Sequence, residues 1–412
     1  MTVAKNTFAT RWYVKAFSAA ALATSMLGYS TVSNAGATFK IDDTKWVSVG
    51  AGLRTSFTAT EGAAKGSKWS NDFSIDNMRL YLNAQLHEYI KLEFNTECQF
   101  CGSNGGTMRI LDAIAKFEFN NYLNIWVGRM LVPAERREMN GPFYSANYNV
   151  FSTGTPFDSA DFGASGVGAG AAGIYGRDDG VTLWGSVLEG RLQYALGIFN
   201  GLQSSTAVAN ADDNLLYAQR ISYNFWDVEK NPGYYTSGTY YGAGGDILTL
   251  GISNQYQEDG AGTATDQGNF RGTAVDVLME KVLGNGGVVT FNGEYKNYAV
   301  TSGYSQATRD SAAPGWNMFE GNAYDVGAMY LIPQKVFIGK FQPFLRYTNT
   351  MPTHSSDRQA YEAGVNYVID GHNAIISLNW HYGDRTTKGL DYSSDAIGDK
   401  VHSVTVGFQL QI

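Results

Sequence analysis

The chain is poor in cysteine, proline and histidine, and it has no long hydrophobic run. The two cysteines, Cys98 and Cys101, both stand in "CQFC". Two thiolates fall short of the four ligands of a closed zinc site. Gly102 stands where a c-type haem attachment would need histidine. In an oxidising compartment, close cysteines usually pair, so a Cys98–Cys101 disulfide pinning a loop is expected; a redox or metal pair is the alternative. No other metal site and no cofactor is expected. The five histidines, His87, His354, His372, His381 and His402, accompany no G-x-S-x-G and no H-E-x-x-H. No enzyme is therefore expected. The hydrolase alternative rests on His381 and His402, both read as facing inward, with His381 near Asp384.

No stretch approaches the roughly 20 apolar residues of a membrane-crossing helix. The nearest candidate is N-terminal, where Lys5, Arg11 and Lys15 precede "AFSAAALATSMLGYS". Ser33 and Ala35 suit cleavage before Gly36, and Ala35-Gly36-Ala37 offers a second site. Residues 1–35 read as a secretory signal peptide, with an uncleaved anchor as the alternative, and residues 36–412 as the mature domain. Cleavage removes three positive charges and leaves 27 Lys and Arg against 38 Asp and Glu, a net charge of -11. That balance argues against nucleic acid as a partner.

What the chain does contain is alternation. In "VHSVTVGFQLQI", Val404, Val406, Phe408, Leu410 and Ile412 alternate with polar residues or glycine. Val47 to Ala59, Met78 to Leu86 and Ile376 to Tyr382 show the same period of two, which marks strands with two unlike faces. About sixteen strands follow, near 46–59, 73–87, 90–97, 108–119, 122–130, 179–188, 191–199, 214–226, 246–257, 272–282, 288–298, 319–332, 338–348, 358–368, 374–384 and 400–412. Eight prolines, 48 glycines and 14% aromatics suit many strands joined by turns.

The connections alternate between short and long. The long ones are 60–72, 131–178, 200–213, 258–271, 299–318 and 384–399; 227–245 breaks the rule by being long where a short turn is due. Outer-membrane barrels have this asymmetry. Lipid satisfies no free N–H or C=O, so such a sheet must close on itself. The expected fold is therefore all-β, a transmembrane antiparallel barrel of about sixteen strands, apolar outside and polar within, with outer-membrane lipid around it. Trp46, Tyr89, Tyr122, Trp226 and Trp380 suit aromatic girdles.

"FSIDNMRLYLNAQLHEYIKLEFN", "ILDAIAKFEFNNYLNIWVGRMLVPAERREMN" and "DGVTLWGSVLEGRLQYALGIFNG" resemble the phosphate-selective porin O/P family. "FQPFLRYTNT" and "YEAGVNYVIDGHNAIISLNWHYGD" fit the same pattern. The resemblance implies a sixteen-stranded outer-membrane porin, commonly a homotrimer, that passes small hydrophilic solutes or ions by diffusion. It also implies anion preference, as for phosphate, set by channel-lining Arg and Lys. The inferred lining includes Arg54, Arg79, Lys91, Lys116, Arg220, Lys296 and Arg346. Glu93, Glu97, Asp276, Glu280, Glu294, Asp325 and Glu362 face the same way, so the wall is mixed in charge.

The connection 131–178 opens with "LVPAERREMNGPFYSANY". Structureless loops this long are usually functional. Folded inward, it would narrow the pore where field lines focus. Glu135, Arg136, Arg137 and Glu138 are the expected constriction, against an exposed charge cluster as the bland alternative. "GAGAAG" at 168–173 lacks the strand-to-helix context of a dinucleotide site. "NADDN" at 210–214 lacks calcium-loop spacing. A last alternative is a barrel sheathing an electron-transfer cytochrome, which would bring its own haems.

Overall fold

The computed structural model describes residues 36–99, 108–149, 176–201, 210, 212–300, 305, 320–353, 357–384 and 400–412. The expected signal peptide, Cys101, His354 and "GAGAAG" lie outside them, as does the side chain of Asp384.

The strands are β1 (Ala37–Lys40), β2 (Trp46–Ala64), β3 (Lys68–His87), β4 (Ile90–Gln99), β5 (Arg109–Glu118) and β6 (Asn124–Leu131). They continue with β7 (Arg177–Val187), β8 (Leu192–Phe199), β9 (Leu216–Asn224), β10 (Ile247–Thr263), β11 (Asp266–Val282) and β12 (Val288–Val300). The last six are β13 (Gly321–Leu331), β14 (Lys335–Val336), β15 (Gly339–Pro352), β16 (Arg358–Asp370), β17 (Ala374–Asp384) and β18 (Lys400–Gln411). Neighbours in sequence pair antiparallel, and β18 returns to β2 from Ser403↔Thr60 to Gln411↔Gly52. Leaving out the short β1 and β14, sixteen strands form a closed antiparallel barrel of the transmembrane kind. Closure leaves no edge whose N–H and C=O groups would face lipid.

The period-two reading gives the faces. Val49 and Leu53 of β2, Leu80 and Leu82 of β3, Leu345 of β15, Leu378 of β17 and Phe408 and Leu410 of β18 are exposed on the outside. Arg54, Arg79, Glu97, Asp276, Lys296, Asp325, Arg346 and Glu362 are buried on the other face. Tyr89, Tyr122 and Trp226 are exposed at the short-turn end, and Trp46 opens β2 there. Trp380 stacks with Tyr382 and His402 toward the other end.

Three expectations need correction. The long loops at 60–72 and 258–271 are instead strand: β2 and β3 run on to a turn at 65–67, and β10 and β11 to one at 264–265. The pairing shifts register between Thr60 and Ala64 and between Gln257 and Ala261. Alternation fades there although pairing continues: exposure is intermediate along the end of β2, and Gly260, Ala261 and Gly262 of β10 are buried in succession. His402 faces outward, paired with Tyr382, because it shares the parity of Val404 and Val406. The lumen is not wholly polar either. Trp126, Met130, Leu131, Met139, Phe199 and Tyr234 form one buried cluster with Trp184 and Tyr235 packed against it.

Candidate functional site

Residues 132–149, at the start of the long β6–β7 connection, lie along the inner wall, and their backbone is held by wall side chains. Gln255 donates to Pro133 O at 3.3 Å and Arg220 to Ala134 O at 3.0 Å. Gln409 donates to Phe143 O at 2.9 Å, Asn366 to Ala146 O at 3.2 Å and Arg346 to Asn149 O at 2.6 Å. Arg54 donates to Tyr148 O. Gly52 makes room: a Cβ there would meet the Phe143 ring at 2.8 Å.

A single helical turn, Arg136–Asn140, carries the charged run "ERRE" into the barrel, where all four side chains are buried. Arg136 donates through Nη1 and Nη2 to Glu229 at 2.8 and 2.6 Å, and its Nε lies 3.5 Å from Asp276. Arg137 donates to Asp325 at 2.5 Å and pairs with Glu294 at 3.2 Å. Lys296 Nζ lies 2.6 Å from Glu135. Arg220 pairs with Asp276, and Arg346 bridges Asp325 at 2.7 Å and Glu362 at 3.1 Å. Five cationic side chains thus meet six carboxylates, and no guanidinium in this group stands without a counter-charge.

The remaining inferred lining residues lie on the β2–β5 side. Arg54 donates to Asn77 at 2.8 Å and stacks on Tyr148. Arg79 pairs with Glu97, Lys116 with Glu93, and Lys91 with Glu118 at 2.6 Å. Lys116 also sits over the Trp126 ring, 3.9 Å from its centroid.

A second segment also runs inward, from the connection whose length breaks the short–long rule. The connection at 225–246, on the short-turn end, rises into the barrel and docks on the first. Tyr234 donates to Leu131 O at 2.6 Å and Thr236 to Arg136 O at 2.7 Å. Gly238 N donates to Tyr144 O at 2.8 Å, and Asn292 of the wall donates to Gly238 O at 2.9 Å. Thr239 Oγ1, Tyr240 N and Gly242 N all donate to Glu280, at 2.7, 3.0 and 2.6 Å. Gly233, at φ +62°, lies where a Cβ would strike Trp126 at 2.2 Å. The one clue in the sequence was its composition: no charged residue stands between Lys230 and Asp246, and four tyrosines do.

Glu229 and His372, both outside the wall strands, titrate away from their ordinary values. Burial alone would raise the Glu229 carboxyl, but the Arg136 charge and hydrogen bonds outweigh it and bring it down to about 2. Burial pushes the His372 imidazole, in the β16–β17 turn, down to about 4, against a hydrogen bond to Thr239 O at 2.9 Å. His372 therefore holds the second segment as a neutral ring. Cys98 is buried and disulfide-bonded, while its expected partner lies outside the described residues. His381 faces inward opposite Glu362 and Ser403. Asn210, at the start of "NADDN", bonds the backbone of Asn214 at 2.6 Å in a local turn.

No family model matches the chain, and no curated protein does. Solved structures do. The anion-selective porin from Comamonas acidovorans superposes with a TM-score of 0.56 at 13% identity, over 89% of this chain and 100% of that one. OmpF of Salmonella typhi, in complex with daunomycin, gives 0.57 at 13% identity, over 91% and 100%. OmpT of Vibrio cholerae gives 0.53 at 13% identity, over 91% and 100%. At that identity the likeness is one of fold: this chain has the sixteen-strand barrel of outer-membrane porins.

Proposed function

We propose that the protein is an outer-membrane porin, exported by residues 1–35, through which small hydrophilic solutes or ions diffuse passively. The observation that carries the reading is the inward course of residues 132–149. A closed wall with an apolar exterior encloses a charged interior, and the chain's own segment brings Glu135, Arg136, Arg137 and Glu138 into the bore. In a narrow low-dielectric passage such charges decide which ions enter. Residues 228–244 form the second half of the same constriction.

The resemblance to the phosphate-selective O/P family favours inorganic anions such as phosphate as cargo, and the anion-selective Comamonas porin shares the fold. Charge pairing tempers that preference: six carboxylates answer the five cationic groups. We therefore propose a weakly selective channel, assembled as a homotrimer in the manner of porins of this size. A cytochrome sheath is disfavoured, because the bore holds the barrel's own segments where a threaded partner would run. Single-channel recording across a salt gradient tests the proposal. Discrete conductance with a small reversal potential is expected; a purified, folded barrel that passes no current would overturn it.

A further inference from the structure

The β13–β15 connection, "IPQKVFIGKF", ends in a hairpin tip at the short-turn end. Lys335 pairs with Lys340 and Val336 with Gly339, leaving Phe337 and Ile338 at the apex. Phe337 is 93% exposed and Ile338 61%. Phe337 also holds φ +55°, a conformation costly for a bulky side chain and natural to glycine or asparagine. An apolar aromatic kept in a strained turn and given to water is disfavoured twice.

The tip is also anchored toward one side. Tyr367 of β16 donates its hydroxyl to Val336 O at 2.5 Å and accepts from Ile338 N and Gly339 N at 3.2 and 2.9 Å. Tyr367 is opposite Phe341 in the ladder, their rings 5.0 Å apart. Both share the outward parity of Leu345, which is 67% exposed. The apolar apex therefore continues the outer stripe that runs down Leu345 and Phe341. The tip carries two lysines and no carboxylate. Lys335 and Lys340 lie directly opposite each other, an arrangement that costs stability unless an anion answers it.

We infer that Phe337 and Ile338 form a wedge seated in the membrane interface at the short-turn end, with phospholipid as its occupant and the phosphate headgroups as the counter-charge to Lys335 and Lys340. Aromatic and aliphatic side chains partition into this boundary, while long lysine stems reach the headgroup level. The tyrosine clamp fixes the tip against the barrel, so the wedge sets the depth of the short-turn end in the bilayer.

The inference rests on the barrel spanning a membrane, and the test separates the two. Phe337→Cys, Ile338→Cys and Leu345→Cys are each made in a Cys98→Ser, Cys101→Ser background. Each carries a nitroxide and is reconstituted in phosphatidylethanolamine–phosphatidylglycerol vesicles. Accessibility to oxygen relative to a water-soluble nickel complex then reports depth. The expected result is a ratio at 337 and 338 several-fold above that at a water-exposed label on Ser67, approaching that at 345. If 345 reads as lipid while 337 and 338 read as water, the wedge is wrong. If 345 reads as lipid while 337 and 338 are shielded from both reagents, the tip is covered by protein, a second copy or another partner, and the inference is again overturned. If 345 itself reads as water, the membrane reading falls and the wedge with it.

Discussion

Arg136 and Glu229 are 93 residues apart, enter the barrel from opposite ends, and meet in a two-bonded ion pair with both side chains buried. Each neutralises a charge that the other segment carries into the bore. Removing one partner of a buried pair leaves an uncompensated charge, at a cost of about 3–5 kcal/mol. Arg136→Gln and Glu229→Gln are each expected to lower the thermal unfolding midpoint in detergent. The double variant is expected to lose less than the sum, because only the first substitution strands a charge. Additive losses would mean that the two residues do not act as a pair.

Replacing residues 230–243 by a two-residue turn is expected to raise single-channel conductance while the barrel still folds. Those residues occupy cross-section and present Tyr234, Thr236 and Gly238 to the first segment. Planar-bilayer recording beside the intact protein checks this. Equal conductance would place the narrowest point of the path elsewhere.

Arg136→Glu together with Arg137→Glu changes the local charge by four units, beside Asp276, Glu294 and Asp325. Reversal potentials in a salt gradient are expected to move toward cation preference by several-fold in permeability ratio. An unchanged potential would remove both arginines from the filter.

Acid is expected to loosen the inner assembly in two stages. His372 has its folded value lowered to about 4 from 6.5, so between those pH values the unfolded chain binds more protons. Its contribution is therefore complete above pH 6.5 and fades as pH falls toward 4, by about 3 kcal/mol at most. Glu229, lowered to about 2 from 4.5, contributes above pH 4.5 and loses that contribution as pH falls toward 2. Unfolding midpoints measured across pH 3–8 should fall on acidification, and His372→Asn should flatten the upper stage. A wild-type profile already flat from pH 7 to 4 would contradict the neutral, half-buried ring.

The wall was legible in the sequence because lipid and lumen impose opposite demands on successive residues. Arg54, Arg79, Lys116, Arg220, Lys296 and Arg346 lie inward because Leu53, Leu80, Ala115, Ile221, Tyr295 and Leu345 lie outward. The two long hairpins were hidden for the same reason. Around Gly62 exposure no longer alternates, and Gly260, Ala261 and Gly262 are buried in succession, so no contrast marks their faces. The "ERRE" run was visible as a charge cluster, but its counter-charges come from β11, β12, β13 and residue 229, and no local spacing reveals that convergence. Excess length alone does not show that 225–246 turns inward. Its uncharged, tyrosine-rich composition was the readable sign of burial, and a rule about loop lengths does not weigh composition.

The ties made by residues 132–149 reach Arg54 on β2, Arg220 on β9, Arg346 on β15 and Gln409 on β18. Furnishing a cylinder already zipped shut would mean feeding buried arginines and carboxylates in from its ends and desolvating them one at a time. These ties favour a biogenesis in which an open, curling sheet gathers its contents as it bends, with the β2 and β18 margins joined last. Any insertion machinery serving this chain has to shelter two unmated margins and an unsealed interior at once.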